Sequence, residues 1–320
     1  MKRGWFEAKI AVNFMAIDLC LIVYGAGGYA LLYHLNIMIE TEVNLMRLCK
    51  KIIKTGLLLA CLNPLVMLSA ADELVFSTAP TQPPAETLKM YQPIVDHLAR
   101  VTGEKIVLKP AKNFLEYTAG IQQKKYDILF DGPQFVGWRM QQYGHKVIAR
   151  LPGQIVFVVV ARKDSGITDY KKLVGRKVCA FASPNLLTLG FLNQYPSPAS
   201  QPIMVRVKSF KESLDCVKKG DGIASVMRDK FWEKRTPEQK HGLQLIYTTK
   251  SPYPHRAFSV SKRVNRKTRL AILNALLDDA VSVPGAAVFN KFRSKKFMPA
   301  SAREYKGMGA LLSPVWGFRD

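Results

Sequence analysis

Acid is what this chain has little of. It carries 24 Asp and Glu against 47 Lys and Arg in 320 residues, a formal charge of +23. Gly (21) and Pro (18) are near ordinary usage, which excludes collagen-like and low-complexity classes. A shortage of apolar residues would mark a disordered chain, but 48% are hydrophobic. That share is still far below what a polytopic membrane protein needs. Also missing are zinc-finger spacing, an RNA-binding aromatic motif, a Gly-rich phosphate loop, a Ser nucleophile elbow and a redox cysteine pair. His97, His145, His241 and His255 stand in no metal-ligand spacing. Neither a metal nor any other cofactor is expected, and no catalysis. The cations are spread along the chain. Their densest runs, Lys262-Arg263 with Arg266-Lys267-Arg269 and Arg293 with Lys295-Lys296, read as solvated helix faces. A nucleic-acid groove would concentrate them in a stripe, so no nucleic-acid partner is expected. Attraction of small anions or of an anionic membrane surface fits the charge.

Two apolar stretches precede the globular part. Residues 19–39 hold no Lys, Arg, Asp or Glu and are long enough to span a bilayer. A second pattern begins at Met46. Arg47, Lys50, Lys51 and Lys54 form a positive region, 56–68 an apolar one, and Ser69-Ala70-Ala71 a small-residue cleavage site. This is the layout of a secretory signal. The positive-inside rule sets the two stretches against each other. Residues 1–45 are therefore read as translated upstream sequence with Met46 the start, or as a membrane segment, and 46–71 as a signal peptide. Leu58-Leu59-Ala60-Cys61 is also similar to a lipobox, which makes lipid anchoring through Cys61 an alternative. The expected location is the periplasm. The remaining chain, 72–320, keeps a charge of +20, so the basic excess belongs to the part that folds.

From residue 74 strand and helix patterns alternate. Residues 74–79, 106–108 and 126–130 read as strands. Residues 88–101, 114–121 and 134–143 show helical spacing, with Gly103 and Gly144 as stops. A second series has strands at 177–181, 203–207, 223–226 and 243–248. Its helices fall at 185–193, 210–219 and 229–234, and helical pattern returns at 270–281 and after Pro284. Apolar runs at 155–161 and 257–261 read as crossovers between the two series. The expected fold is α/β: two Rossmann-like lobes joined by two hinge strands around a cleft. Residues 72–158 with 257–320 would form the first lobe and 159–256 the second. Ligands of such sheets sit at the carboxyl ends of strands. Cys179 and Cys216 are the even pair left in an oxidising compartment, and spacing alone leaves a disulfide and two buried thiols open.

At the loops the chain resembles a known family. The pieces are Tyr126-Asp127-Ile128-Leu129-Phe130-Asp131-Gly132-Pro133, Gly175-Arg176-Lys177-Val178, Arg228-Asp229-Lys230-Phe231, Ser251-Pro252-Tyr253-Pro254, and Phe297-Met298-Pro299-Ala300 with Glu304-Tyr305. In order and spacing they are similar to the phosphate/phosphite/phosphonate-type substrate-binding proteins of bacterial ABC importers. The resemblance implies a type II two-lobed periplasmic binding protein that closes on a small anionic solute and docks on an inner-membrane ABC permease, and a monomer is expected. A sensory module delivering occupancy to a signalling receptor is the alternative on the same fold. Phosphonate binders of the family grip the oxyanion with a Ser-Thr-Ser-Gly turn. Here the matching stretch is Ser183-Pro184-Asn185-Leu186-Leu187-Thr188-Leu189-Gly190, with two leucines at hydroxyl positions. That departure points to a larger or more apolar anion.

The expected ligand-binding residues are Thr78, Asp131, Gln134, Arg139, Ser183, Asn185, Thr188, Arg228 and Tyr253. Thr78 ends the first strand. Asp131 flanks Gly-Pro and serves either as an acceptor or as a helix cap, and Gln134 follows it. Arg139 lies farther along the same helix and reaches either cleft or solvent. Asn185 opens a helix at which an anion would bind, between the hydroxyls of Ser183 and Thr188. Arg228 offers a fork suited to carboxylate or phosphate. Tyr253, between prolines near the hinge, would wall the cleft.

Overall fold

The computed structural model describes residues 73–318. The readings made for 1–72, including the 19–39 stretch, the signal peptide and Cys61, lie outside the described residues. Among the described residues no helix is long and apolar enough to cross a membrane.

Three parallel strands, β1 (Leu74–Ser77), β2 (Ile106–Leu108) and β3 (Ile128–Asp131), start the first sheet. Each is followed by a helix: α1 (Pro84–Thr102), α2 (Phe114–Gln122) and α3 (Pro133–Tyr143). Their ends are chemically marked. Pro84 sits in the first turn of α1 and Gly103 closes it with φ 70°, a left-handed value that suits Gly. Asn113 caps α2 through Glu116 N. The sheet is completed by β4 (Lys146–Arg150), β12 (Ala257–Val260) and β13 (Met298–Pro299), in the order β13-β4-β12-β3-β1-β2. Helices α8 (Arg266–Leu277), α9 (Ala286–Phe292) and α10 (Ala302–Tyr305) follow β12, before a 3-10 turn Met308–Leu312.

The second sheet repeats the plan. Parallel β7 (Lys177–Phe181), β8 (Ile203–Val207) and β9 (Ala224–Arg228) are extended on one side by β6 (Phe157–Arg162), antiparallel to β9, and then by β10 (Leu243–Thr248), antiparallel to β6, in the order β10-β6-β9-β7-β8. Its helices are α4 (Leu186–Leu192), α5 (Phe210–Lys219), α6 (Asp229–Glu233) and α7 (Pro237–Lys240). Cys179 on β7 and Cys216 on α5 are joined by a disulfide, with Cα atoms 6.3 Å apart. The order β8-β7-β9 explains the meeting: α5 links β8 to β9 and must pass over β7.

In each lobe the three parallel strands are met by one antiparallel strand arriving from the other lobe, β12 in the first and β6 in the second. Between the lobes a small ribbon pairs β5 (Gln154–Ile155) with β11 (Tyr253–Pro254). The 155–161 run is therefore not one strand. Ile155 lies in the ribbon, and Phe157 and Val158 pair with Arg228 and Met227 in the second sheet. This moves the crossover ahead of the expected boundary at 158. The physical cause is that an unbroken apolar run looks the same in a hinge and in a buried strand. One apolar cluster runs on through both lobes. Leu186, Leu187 and Leu189 of α4 belong to it with Phe135, Trp138, Leu311, Leu312 and Phe318 of the first lobe.

Candidate functional site

The carboxyl end of β3 is where chemistry was expected first. Asp131, fully buried, receives the guanidinium of Arg139 in a two-pronged pair, Nη2–Oδ1 2.9 Å and Nη1–Oδ2 3.0 Å. The hydroxyl of Tyr117 on α2 donates to the same carboxylate, and Arg139 also donates to Ser259 Oγ on β12 at 2.9 Å. Burial works against the charge on Arg139, but Asp131 and Tyr117 outweigh it and its pKa is raised. Burial likewise pushes the Tyr117 hydroxyl well up. Four elements are thus tied at one satisfied ion pair. This corrects two expectations. Asp131 does not cap α3, whose N-cap is Gly132 without a side-chain bond, and both its carboxylate oxygens are taken by Arg139 and Tyr117. Arg139 reaches neither cleft nor solvent, because its fork is filled inside the lobe.

Thr78 is also committed: its Oγ1 donates to Phe130 O at 2.6 Å. Gln134 behaves differently. At the start of α3 its Nε2 donates across to Pro184 O of the second lobe at 3.0 Å, while its buried Oε1 has no partner. In the second lobe Ser183 is exposed. Asn185 caps α4 by accepting from Leu187 N at 3.0 Å, and Thr188 donates to Phe181 O at 2.7 Å. The hydroxyl of Thr188 and the amide of Asn185 are therefore used locally, and Leu186 and Leu187 at the start of α4 are buried.

The unspent charge lies nearer the hinge. Arg228 ends β9, and its Nε stands 3.5 Å from Asp229 Oδ1. That geometry is too poor for a hydrogen bond, so both atoms are left without one. Its pKa is lowered by burial, against the pull of Asp229. His255, which follows the hinge strand, is 8% exposed. Its pKa is lowered to about 3, first by burial and then by Arg228, Arg256, Lys230 and Arg150. Arg150, at the end of β4, pairs with Glu304 at 2.9 Å yet keeps a buried Nε with no partner. Arg256 lies over the Phe292 ring at 4.8 Å and is in no ion pair among the described residues. Lys291 on α9 is lowered by burial and then by Arg256. Tyr253 adds a wall: its ring stacks on Phe157 at 6.5 Å and 13°. It also crowds Gly190, where a Cβ would meet the Tyr253 hydroxyl at 2.6 Å.

The structure therefore brings Arg228 and Tyr253 to the hinge with His255, Arg256 and Arg150, which the sequence reading did not single out. No local signal gathers them: Arg150 ends one strand and His255-Arg256 stand just before another, and the sheet sets the two side by side. No group of His, Cys, Asp and Glu among the described residues is arranged to hold a metal ion.

Residues 76–305 match the family described as ABC transporter, phosphonate, periplasmic substrate-binding protein. The chain belongs to this family. No curated protein matches it. Among solved structures it is similar to PhnD1 from Prochlorococcus marinus in complex with methylphosphonate, at 19% identity and TM-score 0.56, covering 76% of this chain and 98% of that one. A Xanthomonas citri protein bound to ATP aligns at 14% identity and TM-score 0.63, with the same coverage. A binding-protein component of an ABC phosphonate transporter from Pseudomonas aeruginosa aligns at 13% identity and TM-score 0.51, covering 71% of this chain and 81% of that one. At these identities the likeness is one of fold: the two-lobed type II periplasmic binding architecture. Membership in the substrate-binding family makes this a transport-type binding protein of extracytoplasmic class.

Proposed function

We propose that this family member captures a small anion between its lobes, at the hinge-side cations, and delivers it to an ABC permease as a monomer without chemical turnover. The observation that carries the reading is a set of cations that the fold leaves under-paired at the hinge: Arg150 and Arg228 each keep a buried Nε without a hydrogen bond, Arg256 is in no ion pair among the described residues, and with Lys230 all four bear on the buried His255. Like charges gathered around a buried group repel one another and oppose its protonation. Of the four, only Arg150 and Arg228 stand near a carboxylate, and the Arg228 contact is a poor one. A bound anion would relieve this repulsion, and the arginine forks suit an oxyanion with two free edges. Their position, rather than the leucine-filled start of α4, is where the ligand's charge would sit. Signal-directed export, with or without a lipid on Cys61, would place the protein outside the cytoplasm.

Methylphosphonate in PhnD1 and ATP in the Xanthomonas protein both carry phosphorus oxyanions. A compound of that kind with an apolar or bulky body is the ligand class this site would favour. Calorimetry and melting temperature with methylphosphonate, phosphate, ATP and a set of organic mono- and dicarboxylates test the reading. At least one anion is expected to raise the melting temperature and to lose tenfold or more in affinity with Arg256→Gln. If every anion leaves the melting temperature unchanged, the reading is wrong.

A further inference from the structure

At the opposite end of the first lobe lies a second basic surface that the ligand site does not explain. The topology gathers it. Strands β1, β2, β3 and β4 all begin at this pole and β12 ends there, since β12 runs antiparallel to both β3 and β4. Lys105 precedes β2, Lys125 precedes β3, Lys146 opens β4, and Lys262 follows β12; all four are exposed. Arg266 and Lys267, also exposed, begin α8. The carboxylates present are already taken. Glu73 holds Lys105 at 3.2 Å and Lys109 at 2.7 Å. Asp127 is 1% exposed and bonded to Val75 N, Ser261 and Arg263. Glu104 accepts from Thr268 at 2.6 Å. Among the described residues Lys125, Lys146, Lys262, Arg266 and Lys267 pair with no carboxylate.

Two features separate this pole from ordinary basic surface. Cations in the last turn of a helix are favoured by its dipole, and Lys218 and Lys219 of α5 are placed that way. Arg266, Lys267 and Arg269 instead occupy the first turn of α8, which holds no acid, so the helix itself gains nothing from them. The polypeptide also enters the described structure on this pole, at Glu73, whose carbonyl accepts from Arg263 at 3.1 Å. The sequence upstream contains Cys61, the residue that the lipid-anchoring alternative would modify. Val101 and Leu270, each 46% exposed, stand at the end of α1 and near the start of α8. A mix of cations and projecting aliphatic side chains suits a lipid interface better than a nucleic-acid backbone.

We propose that this pole of the first lobe docks on an anionic membrane surface, with lysine and arginine meeting lipid phosphates and the chain entering from the membrane side. Each cation near such a surface adds to the attraction, which falls with salt. In this orientation the ligand cleft faces away from the lipid, so the docked state is one in which ligand is collected, and delivery to a permease requires release of this pole.

The test is lysine acetylation of the full chain on vesicles, read residue by residue. With vesicles of phosphatidylcholine containing 30% phosphatidylglycerol, Lys125, Lys146, Lys262 and Lys267 are expected to be protected at least fivefold relative to Lys171 and Lys172 of the second lobe. The protection should disappear in 0.5 M salt and on pure phosphatidylcholine. A Lys262→Gln, Arg266→Gln, Lys267→Gln, Arg269→Gln variant should fold as well as the wild type, since it removes cations from the first turn, and should lose the protection of Lys125 and Lys146. Equal reactivity of all lysines on both vesicle types overturns the proposal. So does protection by duplex DNA or RNA with none by vesicles, which would assign the pole to nucleic acid.

Discussion

Each lobe ends a central strand on a charged residue and starts a helix immediately after it, yet the two junctions are built for different ends. In the first lobe β3 delivers Asp131 to Arg139, Tyr117 and Ser259, and nothing in that set is left unpaired. In the second lobe β9 delivers Arg228 beside Asp229, and the contact leaves Arg228 Nε and Asp229 Oδ1 without a hydrogen bond, Arg228 making only a long bond from Nη2 to Gln154 O at 3.4 Å. One junction spends its charge on holding four elements together; the other keeps it available. A charged residue at the carboxyl end of a strand is thus no guide to function by itself. What decides is whether the fold supplies a partner.

The contrast can be broken most severely from the first lobe. Asp131→Ala leaves Arg139 charged, buried and alone, which should cost about 3–5 kcal/mol of stability in a denaturant or thermal melt. Next in size is acid. His145, buried with Arg139 near it, and His255, buried with Arg228 near it, both have pKa values lowered to about 3, with burial the larger cause for each. The native state therefore stays neutral at these rings while the unfolded chain takes up protons below its ordinary value of 6.5. Stability contributed above pH 6.5 is lost as pH falls toward 3, roughly 2 kcal/mol per histidine by pH 5. His255→Asn should flatten half of that decline. An anion bound beside His255 should also flatten it, whereas one bound elsewhere should not. Smaller again is Tyr117→Phe, which removes the hydroxyl that donates to Asp131 and accepts from Arg139 and should cost about 1–3 kcal/mol. The least effect on stability is expected from Arg228→Gln, within about 0.5 kcal/mol, since its ion pair is poor. The same change should weaken anion binding tenfold or more. If Arg228→Gln unfolds the protein as Asp131→Ala does, the two junctions are alike and the distinction fails.

The alternation of strands and helices was legible because each element is short and bounded by Gly, Pro or a cap. The spans 177–181, 203–207, 210–219 and 243–248 match β7, β8, α5 and β10 to the residue. Strand β4 was missed. Lysine and arginine stand at its two ends and only Ile148 and Ala149 are buried, so it carries almost no periodic signal. Within the site, Arg228 and Tyr253 could be picked out because they border a strand end and a hinge. Asp131 and Arg139 looked just as functional, and their pairing depends on Tyr117 and Ser259, which lie on other elements far away in sequence. Arg150 and His255-Arg256 come together only when β4 and β12 pair in the first sheet, Arg228 joins them from the second lobe, and no local pattern announces that.

The apolar cluster that passes from Trp138 and Leu312 to Leu186 and Leu187 has a thermodynamic consequence. Parting the lobes there would bring oily surface into contact with water, and hydration of such surface raises heat capacity. Where lobes are separate until a ligand draws them together, capture hides that surface and the heat capacity drops sharply. Capture that closes the lobes over this cluster should therefore register in calorimetry as a heat that grows more negative with temperature, on top of the part that arises from charge neutralisation at the hinge.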